Sequence, residues 1–171
     1  MSKNEISIEQ LKIAADCMIK LLASGMTENM SIRHLEFLAN NYAKFKIIGK
    51  VSADHVSEYR DWSKAAIKAE KENQNRKAGE YLRVEHGTPR RDFARLVLIA
   101  HQKGKLNEVW MNSHCRKLWK VAIISHDEDR VLNGMRKMKF KTAEMKWAKA
   151  GIKIVKRIKS ISPTRQRTSS G

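Results

Sequence analysis

Apolar residues recur at helical spacing along most of this chain and switch to a period of two at only a few short runs. That restricts the fold to helices packed around a small sheet. Ile8, Leu11, Ala15, Met18, Ile19 and Leu22 form the first stripe. Ser7 can cap it with Gln10 reaching back, and Gly25 can end it. Ile32, Leu35, Leu38, Ala39, Tyr42 and Phe45 form the second, after the candidate cap Ser31 and before Gly49. A third helix is predicted from near Asp54, with Val56, Tyr59, Trp62, Ala66 and Ile67 on one side and, but for Ala69, a polar end over residues 68–77.

The pattern changes at Tyr81–His86, which alternates as a half-buried strand does. Thr88 then reads as an N-cap and Pro89 as the first helical residue. The helix they open carries Phe93, Leu96, Val97 and Ala100 inward and ends near Gly104. An amphipathic stretch holds Leu106, Val109, Trp110, Leu118 and Trp119, and Val121-Ala122-Ile123-Ile124 reads as a fully buried strand. Ser125 with Glu128 forms a capping box for a helix through Val131, Leu132, Met135 and Met138. Thr142 caps a last helix with Met145, Trp147 and Ala148, stopped by Gly151, and Ile152-Lys153-Ile154 alternates like an edge strand. The prediction is an α+β fold, predominantly helical, with about six helices and a sheet of two or three strands. It forms a single domain over 1–159, with a near-neutral helical layer (1–78) and a basic α+β part (80–159). Residues 160–171, rich in Ser, Thr and Arg, are expected to be a disordered basic tail.

Charge says most about the partner. The 171 residues hold 35 Lys+Arg against 18 Asp+Glu, a net charge of +17. Residues 1–40 are close to neutral, whereas 131–171 contain a single acidic residue, Glu144, among many cations. So one-sided a field attracts polyanions, and each phosphate neutralised releases counterions. The longest apolar run, Leu96–Ala100, is far short of the roughly 20 residues of a membrane helix. The two cysteines, Cys17 and Cys115, make no disulfide scaffold and fit a reducing, cytoplasmic setting. No secretory signal is read at the N-terminus, and no Gly-rich phosphate loop, nucleophile elbow or Cys-x-x-Cys pair occurs.

The expected function is nucleic-acid binding, DNA or RNA, with no cofactor and no membrane. An acidic protein partner and a homodimer through the helical half are the other partners the sequence allows. The contact residues are expected along Arg136, Lys137, Lys139, Lys141, Lys146, Trp147, Lys149, Lys153, Lys156 and Arg157, where cations interleave with aromatics. Arg90, Arg91, Arg116 and Lys117 extend them. The competing reading makes Trp147 and Phe140 core anchors, with the lysines as a solvated face that can still bind phosphate.

Glu85-His86-Gly87-Thr88-Pro89 carries the competing reading. An acid followed by His at a strand end, with Pro three residues after the His, resembles the first part of the HNH (His-Me finger) nuclease motif. The resemblance implies a metal-dependent nuclease using Mg or Mn. His86 would be its general base, Glu85 and His114 metal ligands, and Asn107 or Asn112 would orient the base. The alternative is that His86 packs beside the helix that follows. Arg95 with His101, an Arg-x5-His pair, is similar to the Arg-x4–6-His spacing of HEPN ribonucleases, or is a surface pair. Asp127-Glu128-Asp129 is explained by a helix N-terminus without a metal, and His114-Cys115 lacks the close pairing of a zinc site.

Overall fold

The computed structural model describes residues 5–49 and 56–157. Among them are eight α-helices and one four-stranded sheet, an α+β fold that is predominantly helical. The chain opens with three helices, α1 (Ile8–Ala23), α2 (Glu28–Ser31) and α3 (Arg33–Ile48). Strand β1 (Asp61–Ser63), helix α4 (Lys64–Glu72) and strand β2 (Leu82–His86) follow. Helices α5 (Arg90–Gln102) and α6 (Glu108–Leu118) lead to β3 (Val121–Ser125), then α7 (His126–Gly134), α8 (Ala143–Lys149) and β4 (Ile154–Lys156).

The caps explain several boundaries. Ser7 and Gln10 form both bonds of a capping box on α1, and Ser125 and Glu128 do the same on α7. Gly49 ends α3 in the left-handed conformation, φ 79°, which a residue without a Cβ adopts freely. Two predicted caps are used otherwise. Ser31 donates back to the Thr27 carbonyl at 3.0 Å and closes the short α2 instead of opening α3. Thr88 donates its hydroxyl to the Leu118 carbonyl, which leaves Pro89 to cap α5 without a side-chain bond.

The strand order is β2-β3-β1-β4. β3 pairs antiparallel with β2 and parallel with β1, and β4 runs antiparallel along the outer edge of β1. The third predicted helix is therefore corrected. Its first half is a 3₁₀ turn, Val56–Glu58, followed by β1; its predicted start at Asp54 lies outside the described residues, and the helix proper begins only after Ser63. Trp62, predicted on a helical stripe, is fully buried in the sheet opposite Ile123. The sheet thus has four strands, and β1 places it partly in the near-neutral half. The tail 160–171 lies outside the described residues.

Alternation along the strands sends side chains to two cores. Leu82, Val84, Val121, Ile123 and Trp62 join the larger core with α1, α3, α5 and α6. Ala122, Ile124 and Ile154 face a smaller core with Leu132 of α7, Ala143 and Trp147 of α8, and Ile152. Gly87 lets α8 come close: a Cβ there would lie 2.2 Å from the Ala143 Cβ and 2.9 Å from Trp147 Cζ2. All five β3 positions are buried, which accounts for its unbroken apolar run.

Candidate nucleic-acid interface

One end of the sheet brings together the C-terminus of β2, the starts of β3 and β1, and the end of β4. A cleft of about 770 Å³ opens beside it. Its cations are Arg60, Arg116, Lys120, Lys156 and Arg157, with Glu58 and Asp61 as its acids. Ile47, Ile48, Tyr59, Trp119 and Val121 complete the lining. Arg60 stands just before β1, Arg116 on the last turn of α6, and Lys120 just before β3. The fold therefore gathers charge from separate stretches of sequence.

Two of the five are tied down. Lys156 Nζ lies 2.5 Å from Asp61 Oδ1 across the β1–β4 pair. Arg157 bonds Glu70 at 2.9 Å and stacks its guanidinium 4.3 Å from the Trp62 ring centroid, while its backbone N–H donates to the Arg60 carbonyl. Arg60, Arg116 and Lys120 have no acidic partner among the described residues.

The other predicted contact residues fall into two groups. Arg136, Lys137, Lys139 and Lys141 are exposed on the segment between α7 and α8, and Lys149 and Lys153 are exposed beyond it. Arg136 bonds only the neutral Asn133, and no ion pair engages the five lysines among the described residues. Lys117 is likewise exposed at the end of α6. Arg90 and Arg91, by contrast, both face Glu36 of α3, at 3.7 and 3.8 Å. Trp147, 5% exposed, is a core wedge over Gly87 and offers no face for stacking. Lys146 is engaged with Glu85.

Glu85 and His86 do not converge. Consecutive strand residues face opposite sides, so Glu85 lies under α8, where Lys146 Nζ reaches its Oε1 at 2.5 Å. Burial raises the Glu85 carboxyl above its ordinary value, with Lys146 acting against that shift and Asp129 adding to it. His86 turns to the larger core and meets Trp119 edge-on, ring centroids 5.8 Å apart. Burial, with Arg90, Lys44 and Lys146 adding to it, holds His86 down to about 4, so its imidazole is neutral. His114 lies on α6, stacked on Trp110 with Nδ1 bonded to that residue's carbonyl. Asn107 caps α6, and Asn112 accepts from the Tyr42 hydroxyl. Among the described residues no three His, Cys, Asp or Glu side chains gather as a metal-donor set. Donors so dispersed do not fit a divalent metal, and an ammonium occupies the carboxylate that would hold one.

The remaining candidates have local uses. Arg95 pairs with Glu28 and Asp92, whereas His101 pairs with Asp16, so the two are not one site. Glu128 is a hub: its Oε2 accepts from Ser63 Oγ at 2.5 Å and from the Ser125 backbone N–H at 2.9 Å. Ser63 in turn caps α4 by accepting from the Ala66 N–H. One carboxylate thus ties the helices that follow the parallel strands β1 and β3. Arg60 and Lys120 were not singled out from sequence, Arg60 because it stands between Tyr59 and Asp61, Lys120 although it follows the Arg116-Lys117 pair; the pairing of β1 with β3 brings them together.

Comparison with protein-family models, with curated proteins and with solved structures finds no match to this chain.

Proposed function

We propose that the protein binds nucleic acid in the cytoplasm, holding backbone phosphates with the cations at the end of the sheet and on the segment between α7 and α8. The observation that carries this reading is the convergence of Arg60, Arg116 and Lys120, none neutralised by an acid among the described residues, on one cleft. Phosphate contacts give affinity and register without reading sequence, which suits a site built of charge. The exposed Lys137, Lys139, Lys141, Lys149 and Lys153 add a second electrostatic surface. Both cysteines are free thiols, in keeping with a reducing compartment. Among the described residues no helix is long and apolar enough to cross a membrane.

The nuclease reading has less behind it, because Glu85 and His86 lie on opposite faces of the sheet and Glu85 is held by Lys146. A gel-shift titration with DNA and RNA at two salt concentrations, each with magnesium and with EDTA, tests both. Retardation that weakens steeply with salt and leaves the nucleic acid intact is the expected result. Metal-dependent cutting that His86→Ala abolishes would replace binding with catalysis. Retardation that salt leaves unchanged would remove the phosphate-contact reading.

A further inference from the structure

The same cleft also distinguishes between kinds of nucleic acid. Resting on the reading above, we infer that it takes an unpaired stretch of nucleic acid, with a base against its apolar wall and the flanking phosphates on Arg60, Arg116 and Lys120.

Three features support this. The first is shape. The free cations border a concavity of about 770 Å³, within the roughly 300–1,000 Å³ that holds a nucleotide-sized ligand and too small to admit a duplex. Proteins that read duplex DNA directly insert a helix or ribbon into a groove, whereas this site receives its ligand.

The second is composition. Phosphate alone would be served by charge, yet Ile47, 45% exposed, stands with Ile48 among the cations, while Tyr59 and Trp119 are buried behind the lining and offer no open ring face. A large aliphatic side chain held open to water beside arginines matches a ligand that is apolar on one face and anionic at its edge, as an unpaired nucleotide is. A duplex keeps its base faces stacked inside and would leave that wall uncovered.

The third is rigidity. Trp119 is fixed by its indole N–H on Asn40 Oδ1 at 3.1 Å, and Arg157 by Glu70, Trp62 and the Arg60 carbonyl. The buried backing and one wall are therefore formed before the ligand arrives, which lowers the ordering cost of binding.

The test is fluorescence polarisation of the full chain with one labelled 12-mer as single-stranded DNA, as single-stranded RNA and as duplex, at several salt concentrations. The expected result is single-strand affinity about fivefold above duplex, from covering the exposed part of Ile47 with one base. Arg116→Ala with Lys120→Ala should reduce the single-strand salt slope by about 1.4, for two phosphates lost, with an unchanged circular dichroism spectrum. Ile47→Ser should weaken single-strand binding several-fold at an unchanged slope. Comparison of the DNA and RNA arms shows which sugar is favoured. Equal affinity for duplex, or single-strand binding indifferent to both variants, overturns this inference while nucleic-acid binding itself stands. Absence of binding to all three oligonucleotides, with or without capture by phosphatidylserine vesicles, overturns both.

Discussion

Lys146 and Glu85 form an ion pair of 2.5 Å beneath α8, with side chains only 21% and 14% exposed. Burial outweighs attraction at Glu85, whose carboxyl is held above its ordinary value, so the pair fixes where α8 sits more than it stabilises the fold. Lys146→Met leaves a carboxylate with no partner and is expected to lower stability by about 2 to 3 kcal/mol. Adding Glu85→Met should recover much of that loss. Urea denaturation of the two single variants and the double variant checks it, and a double variant weaker than both singles would show the pair to be a net stabiliser.

His86 makes stability fall in mild acid. Its folded value of about 4 lies below that of an unfolded histidine, so the unfolded chain takes up this proton first as pH drops. The contribution is complete above about pH 6.5 and lost progressively down to about pH 4, a loss of roughly 2 kcal/mol between pH 7 and pH 5. Glu85 acts in the opposite sense, since its raised carboxyl is protonated earlier in the folded chain. Comparing His86→Leu with the parent cancels that effect. Thermal melts at pH 7 and pH 5 should show a smaller drop for the variant, and equal drops would place the acid sensitivity elsewhere.

Gly87→Ala should destabilise by about 1 to 3 kcal/mol through overpacking. The added methyl meets Ala143 and the Trp147 ring at distances that require α8 to move. A shift in near-ultraviolet circular dichroism from Trp147 should accompany the lowered urea midpoint. An unchanged midpoint would mean that α8 yields without loss.

Glu128→Ala removes the acceptor shared by the Ser63 hydroxyl and the Ser125 N–H, and Ser63 is fully buried. A loss of about 2 to 3 kcal/mol is expected, more than an ordinary cap. Glu128→Gln keeps an acceptor oxygen and should lose less. If the two variants are equally destabilised, the carboxylate's charge matters and its geometry does not.

What the sequence made legible is what neighbouring residues decide. The Ser7–Gln10 and Ser125–Glu128 capping boxes and the glycine stop at Gly49 rest on contacts within a few positions, and all are present; the strand over Leu82–His86 also forms, although its ladder partner is Val121–Ser125. β4 also forms, two residues further along than its alternation suggested. β1 was hidden because three residues cannot display a period, and Trp62 happens to fall on a helical stripe; its strand character comes from Ile123 and Val155, far along the chain. Thr88 has the composition of a cap, yet its hydroxyl is used by a carbonyl thirty residues away. The same limit governs the cleft. Arg116, Lys156 and Arg157 stood out as members of basic runs, while Arg60 and Lys120 acquire meaning only from topology.

β1 also sets an order of assembly. The strands on both sides of it, β3 and β4, come much later in the chain, so the first six helices can settle on one another while the centre of the sheet waits. A growing chain that has not reached β4 already carries most of its positive charge but lacks the side of the cleft that Lys156 and Arg157 line. It would adhere loosely to any polyanion, and discrimination between polyanions would begin only when Lys156 and Arg157 dock beside Arg60. On the proposed reading, attraction follows from composition, whereas selectivity waits for the complete sheet.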